Sequence, residues 1–258
     1  MEFTCRLLSS RPSLFQRRTA KRTFRERSKH FRNSDHMIIS EVLDSLKDLY
    51  LPQTCAACLT QFGEDGHDGM CGNCLKRLEL FEVALCKRCS RPSGTDICSS
   101  CRRDPPKANR IIALGWYQGI FAEMIRGAKI WGIHECLSYL YDRIKSELEP
   151  EYDAIVAIPS NHKLVKILSN EIANMLDAEF LELVRRKKEA IEQVGLTKKE
   201  RKENAKKSFE LTSKKIPQSI LVIDDISTTG ATLDAVCSLL KDNGAIKVDA
   251  FVLAIVPE

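Results

Sequence analysis

Ser219-Ile220-Leu221-Val222-Ile223-Asp224-Asp225-Ile226-Ser227-Thr228-Thr229-Gly230-Ala231-Thr232-Leu233 is the most informative run in this chain. Four consecutive apolar residues, Ile220 to Ile223, predict a strand buried on both faces, as in a parallel sheet. The strand ends in two carboxylates and a hydroxyl-rich turn, and a helical pattern begins at Thr232. Ligands of open parallel sheets bind beyond the carboxyl ends of the strands, so this turn lies where a site is expected. Successive backbone N–H groups from Ser227 to Thr232, backed by a helix N-terminus, suit the 5-phosphate of a ribose phosphate. The expected phosphate-binding set is Ser227, Thr228, Thr229, Gly230, Ala231 and Thr232, with Gly230 allowing close approach of the ligand. Asp224 and Asp225 are suited to accept hydrogen bonds from ribose hydroxyls or to hold a magnesium ion through water. A strand followed by two Asp also describes a Walker B element, but no GxxxxGK[ST] lies upstream. The carboxylates also suit a helix N-cap cluster.

Around this run the chain alternates strand and helix patterns from about Ile111 onward, which predicts an α/β domain. Expected strands are Ile111 to Trp116, Ala154 to Ile158, Phe180 to Val184, Ile220 to Asp224 and Val248 to Ile255. Expected helices are Phe121 to Ile130, His134 to Leu148, Leu164 to Leu176 and Thr232 to Asn243.

Upstream, eight of the 11 cysteines form four CxxC pairs: Cys55/Cys58, Cys71/Cys74, Cys86/Cys89 and Cys98/Cys101. Each pair lets a tight turn aim two thiolates at one ion, and two pairs complete a tetrahedron. Two structural zinc ions are therefore expected, because four sulfur ligands leave no open position for water. Sequential and interleaved pairings both fit the spacing. The stretch from Cys55 to Cys101 is glycine-rich and poor in large apolar residues, so a metal must supply stability that a core does not. A disulfide framework is disfavoured without a secretory signal, and an iron-sulfur cluster is a second use of four thiolates. Cys136 and Cys237 fall in apolar helical patterns and are expected to be buried.

The net charge of +5 is carried by the first 36 residues, which hold ten Lys/Arg and three Asp/Glu. The remainder has 30 basic and 32 acidic residues, so no global excess of positive charge draws a polyanion to it. Residues 1–36 are expected to be a disordered basic tail or a start-site artefact, with an amphipathic helical pattern following Met37; a transit peptide and a nucleic-acid tail are the other readings. No apolar run approaches the roughly 20 residues of a membrane span. A cytoplasmic protein without membrane insertion is expected. The expected domains are a double zinc-ribbon module over 37–108 and an α/β domain over 109–258.

The run from Asp224 to Leu233 resembles the motif of type I phosphoribosyltransferases for 5-phosphoribosyl 1-diphosphate (PRPP). From about Leu51 to the end, the chain as a whole resembles the competence protein F family. Leu51-Pro52 to Cys58 is similar to that family's entry into its zinc ribbon. Trp116-Tyr117-Gln118-Gly119, with Ile125, Lys129 and Gly132, resembles its YxG…IxxxK segment. Gln193, Leu196, Glu200, Arg201, Asn204 and Phe209 fall on its QxxLxxxxRxxN…F stretch. One segment departs from the family. Ala157-Ile158-Pro159-Ser160-Asn161-His162-Lys163 lacks the Pro-Val-Pro turn and the Arg-Gly-Phe-Asn-Gln of the usual pyrophosphate turn, which weakens the case for catalysis more than for binding.

The resemblance implies a type I phosphoribosyltransferase fold behind a double zinc ribbon, with PRPP and magnesium as ligands. The implied chemistry is displacement of pyrophosphate by a nitrogen nucleophile, with Asp224 and Asp225 fixing the ribose and Lys163 neutralising the leaving group. Arg185 to Lys207, which carries Arg185, Arg186, Gln193, Lys198 and Arg201, has no strand pattern and is expected to be a flexible lid or a solvated charged helix. The resemblance also implies a link to DNA uptake with a helicase partner. The rival role is a non-catalytic competence factor that docks single-stranded DNA or a partner through the zinc module. A zinc-dependent transcription regulator is weaker, since no helix-turn-helix pattern is present.

Overall fold

The computed structural model describes residues 53–149, 151–187 and 208–257, within a compact unit that begins at Gln53. The basic segment 1–36, the pattern after Met37, and Gln193, Leu196, Lys198, Glu200, Arg201 and Asn204 lie outside the described residues.

Two short strands, β1 (Gln53–Thr54) and β2 (Gln61–Phe62), pair antiparallel in the cysteine-rich segment, and five strands form one sheet: β3 (Ile111–Trp116), β4 (Ala154–Ala157), β5 (Glu179–Leu181), β8 (Ser219–Ser227) and β9 (Lys247–Ile255), in the order β3-β9-β8-β4-β5. All neighbours run parallel. Strand β8 is central, and its apolar run Ile220 to Ile223 is fully buried, as a strand covered on both faces requires.

Side chains alternate across a strand, and two cores result. Leu221 and Ile223 join Ile155, Phe251 and Leu253 on one face, beneath helix α5 (Leu164–Leu176) and helix α3 (Gly119–Arg126). Ile220 and Val222 join Val156, Ala250 and Val252 on the other face, beneath helix α6 (Ala231–Asp242). The same alternation sends Asp225 toward the α3 face and Asp224 toward the α6 face.

Three elements differ from the sequence reading. The helix expected over Phe121 to Ile130 is α3 followed by a five-residue π-turn, Gly127–Trp131, closed by Gly132 in the left-handed region at φ 72. The helix expected from His134 is a 3-10 segment, His134–Leu140, leading into α4 (Tyr141–Glu147). The strand expected over Phe180 to Val184 is divided: β5 edges the main sheet, while β6 (Val184–Arg186) pairs antiparallel with β7 (Phe209–Leu211). Arg185 and Arg186, expected in a lid without strand structure, therefore lie on a strand. Arg185 Nε donates to Glu210 Oε1 at 2.9 Å across that pair.

The cysteine-rich segment does not stand apart from the sheet. Cys55, Ala56, Met70, Cys71 and Cys74 belong to the same buried cluster as Phe121, Met124, Ile125 and Ala128, so the packing crosses the boundary expected at 108/109. Its second half is stapled to the sheet by backbone bonds, Ile111 N to Arg88 O at 2.9 Å and Asn109 N to Val248 O at 2.7 Å. Lys107 N also donates to Asp234 Oδ1 at 2.8 Å.

Candidate metal centres and ligand cleft

The cysteines form two clusters in sequential pairing, Cys55/Cys58/Cys71/Cys74 and Cys86/Cys89/Cys98/Cys101, with the sulfur atoms of each within 4.8 Å of one another. The interleaved alternative is excluded. Zinc bonded to sulfur at about 2.3 Å in a tetrahedron sets a sulfur separation of about 3.8 Å. Cys58 Sγ lies 3.8 Å from Cys71 Sγ, and Cys89 Sγ lies 3.8 Å from Cys98 Sγ, so the donors fit structural zinc.

The two sites repeat one construction. In each, the residue after the second cysteine turns left-handed, Leu59 at φ 59 and Ser90 at φ 54, and its N–H donates back to the first cysteine's carbonyl at 2.9 and 3.0 Å. The third cysteine then caps a short helix, α1 (Gly72–Leu75) after Cys71 and α2 (Ser99–Arg103) after Cys98. The thiols resist joint ionisation. Burial and the neighbouring thiols push Cys74 and Cys101 far up. Burial also raises Cys58, but hydrogen bonds from Thr60 outweigh it and bring that thiol down to about 6. A divalent cation is the group that lets four crowded thiolates coexist. Cys136 and Cys237, expected to be buried, are fully so.

At the carboxyl end of β8 the chain forms the second feature. Asp225 Oδ1 accepts from the Ile226 N–H at 2.8 Å, and Asp224 Oδ1 accepts from the Asp225 N–H at 2.9 Å. Asp225 is 5% exposed, and its Oδ2 lies 2.5 Å from Lys129 Nζ. Lys129 is thus the cation that neutralises the buried Asp225 carboxylate. A carboxylate has about four acceptor sites, so beside Lys129 it keeps capacity for a second cation or a hydroxyl donor. Burial and the Asp225 charge push the Asp224 carboxyl up to about 7, against the pull of the Asp225 N–H, Lys129 and Arg186.

Both carboxylates open on a cleft of about 530 Å³, lined also by Lys129, Ser160, His162, Arg186, Lys187 and Thr232. Ser227 to Gly230 line a separate cavity of about 520 Å³, lined also by Cys89 and Cys101 of the second cysteine cluster and by Arg91, Ser100 and Arg103. Between the two cavities the loop makes its bend. Gly230 sits in the left-handed region at φ 74 as the N-cap of α6, with no side-chain cap. The Ala231 N–H of the first turn donates instead to Thr229 Oγ1 at 3.4 Å.

The expected phosphate loop and acidic pair are thus adjacent. Lys163 is exposed at the N-cap of α5 and is not among the residues lining the cleft. The cations that line it are Lys129, Arg186 and Lys187. Lys129 has no role of its own in the sequence reading; its signal is position, since it follows buried Ile125 by four and a lysine on a buried helix face needs a partner.

Residues 134–258 match the family model "Phosphoribosyl transferase domain" and residues 46–103 match "Double zinc ribbon domain". Competence protein F of Haemophilus influenzae is 25% identical over 177 residues, covering 61% of this chain and 77% of that protein. The chain is a competence-family relative. DNA utilization protein YhgH of Salmonella typhi, 24% identical over 190 residues, covers 66% of this chain and 84% of its own length. This competence protein F homologue joins its two cysteine clusters and its parallel sheet in one chain. A solved purine phosphoribosyltransferase from Pyrococcus horikoshii overlaps 56% of this chain and 77% of that one, at 16% identity and a TM-score of 0.31, too loosely to add to the assignment. Among the described residues no helix is long and apolar enough to cross a membrane.

Proposed function

We propose that this protein binds PRPP with magnesium at the carboxyl end of β8 and that it serves DNA uptake. The observation that supports the reading is the junction of two features: the turn from Ser227 to Thr232 at the N-terminus of α6, bent at left-handed Gly230, and the buried Asp225 carboxylate paired with Lys129 at the end of the same strand. The loop suits the 5-phosphate. Asp224 and Asp225 suit the ribose hydroxyls, and Lys129, Arg186 and Lys187 in the same cleft suit the diphosphate.

Magnesium, when bound, neutralises diphosphate charge. The chain's own residues orient the sugar and concentrate positive charge where the leaving group develops its negative charge. An attacking nitrogen would form its bond to the anomeric carbon as the bond to diphosphate breaks. Arg201 remains a proposed lid residue outside the described segments. Cytoplasmic action and the DNA-uptake role rest on the family; relatives bear the names competence protein and DNA utilization protein.

A non-catalytic reading has one observation in its favour. The turn after β4 offers Ser160, Asn161 and His162 to the cleft, while Lys163 is not among the lining residues, so the diphosphate end lacks a cation from that turn. In this reading the ligand is sensed, and single-stranded DNA or a helicase is held through the zinc module. Calorimetry with PRPP and magnesium tests the primary reading: saturable one-to-one binding is expected, lost in Asp225→Asn. Retained binding in that variant would remove the site assignment. Slow hydrolysis or transfer then separates enzyme from sensor.

A further inference from the structure

The π-turn Gly127–Trp131 carries Lys129 to Asp225, and nothing in its own sequence demands a π-turn. Such turns arise where a local contact forces an extra residue into a helix, and here the contact is the first cysteine cluster. A Cβ on Gly127 would lie 2.0 Å from the Ala56 carbonyl oxygen and 2.6 Å from the Ala56 carbonyl carbon. Ala56 sits inside the Cys55/Cys58 knuckle. It is 1% exposed, and its N–H donates to Gly69 O at 2.8 Å, tying the knuckle to the loop that leads to Cys71.

That loop presses on the far end of the same turn. A Cβ on Gly69 would meet Ile133 Cγ2 at 3.0 Å and the Cys136 nitrogen at 3.2 Å. The turn is thus bracketed at Gly127 and at Ile133 by the two halves of one four-cysteine site. At Gly127 the contact is backbone against backbone, which leaves no flexible side chain to absorb a shift. In an uninterrupted α-helix Lys129 would stack on the line of Ile125, four residues back, which is fully buried; the wider turn moves it off that line.

We infer that the first four-cysteine site is a clamp for the ligand cleft: through Ala56 against Gly127 it fixes the π-turn that holds Lys129 Nζ on the Asp225 carboxylate. Gly127 and Ala56 are positioning residues, and Lys129 is the group they position. Metal occupancy at a site built for structure is thereby felt at the carboxylates. The consequence for PRPP rests on the proposed function; the clamp itself does not, and its test uses no PRPP.

The readout is the titration of the Asp224/Asp225 pair, followed by carbon-13 carboxyl resonances in the zinc-loaded protein without magnesium. The charged or titratable groups facing the pair are Lys129 from the π-turn, Arg186 and Lys187 from the end of β6, and His162 from the turn after β4. Lys129→Met removes the near cation, and the pair's midpoint should rise by about 1 or more. Gly127→Ala, with two zinc ions retained, should raise it by at least half as much. Gly127→Ala combined with Lys129→Met should match Lys129→Met alone, because both changes act through one contact. A wild-type midpoint in Gly127→Ala, or shifts that add in the double variant, would overturn the clamp. If Gly127→Ala does not fold, zinc is withdrawn stepwise from the wild-type protein by a chelator at pH 7. The carboxyl resonances should then move before far-ultraviolet circular dichroism is lost; resonances constant until global unfolding would also overturn the proposal.

Discussion

Asp224→Asn should make this protein more stable, and more so as pH rises. Burial and the neighbouring Asp225 push the Asp224 carboxyl from 3.8 up to about 7. The folded value lies above the unfolded one, so the unfolded chain releases a proton that the folded chain still holds between roughly pH 4 and pH 7. Stability therefore falls as pH rises through that window and levels off above it. At about 1.4 kcal/mol per pH unit, a window of about 3 units amounts to roughly 4 kcal/mol. Asp224 keeps a partly exposed edge on the cleft, and solvent screening there reduces the figure to about 2 kcal/mol. Asparagine keeps the shape and an Oδ1 for the Asp225 N–H while removing the charge. The assay is urea unfolding of wild type and variant, zinc-loaded and without magnesium, at pH 5.5 and pH 8. The variant should lead by about 2 kcal/mol at pH 8 and by about half that at pH 5.5. Other titrations cancel in the difference. A variant less stable than wild type at pH 8, or a gap independent of pH, would refute the reasoning.

Further consequences concern the scaffold and the clusters. Tyr152 donates its hydroxyl to Asp249 Oδ2 at 2.8 Å, where Asp249 is 1% exposed beside Arg110. Tyr152→Phe should cost about 1–2 kcal/mol and Asp249→Ala about 3–5 kcal/mol, the latter leaving Arg110 without its buried partner, as read from denaturant midpoints. Cys74→Ser and Cys101→Ser should each lower the zinc content from two to one by mass spectrometry. Cys74→Ser should be the more destabilising in thermal melts, because Cys74 lies in the main core and Cys101 does not. Arg186→Met should weaken PRPP binding by about tenfold, the loss of one charge-assisted contact, measured by calorimetry.

Much of this architecture is written in local patterns. The run Ile220 to Ile223 could only be a strand covered on both faces, and Leu164 to Leu176 forms a helix with the predicted ends. Paired cysteines at CxxC spacing announced two metal sites, but their pairing depends on which knuckles meet, which spacing does not encode. The π-turn was hidden because apolar periodicity runs on through Ile130, and the extra residue is imposed by Ala56, some seventy positions upstream. The same distance concealed Lys129, whose partner Asp225 belongs to a strand near the other end of the chain. Lys163 was legible as a cation near the turn after β4, but the backbone that leads into α5 leaves it exposed. Val184 fitted the end of the strand expected from Phe180 and instead starts a separate two-stranded pair with β7.

The bend after Asp225 is tested most directly by nitrogen-15 amide resonances of the full chain during titration with PRPP and magnesium. Saturation should bring the largest displacements at the amides of Thr228, Thr229, Gly230, Ala231 and Thr232, with Asp225 close behind. Saturation with those amides unmoved, or no saturation at millimolar PRPP, would contradict the account.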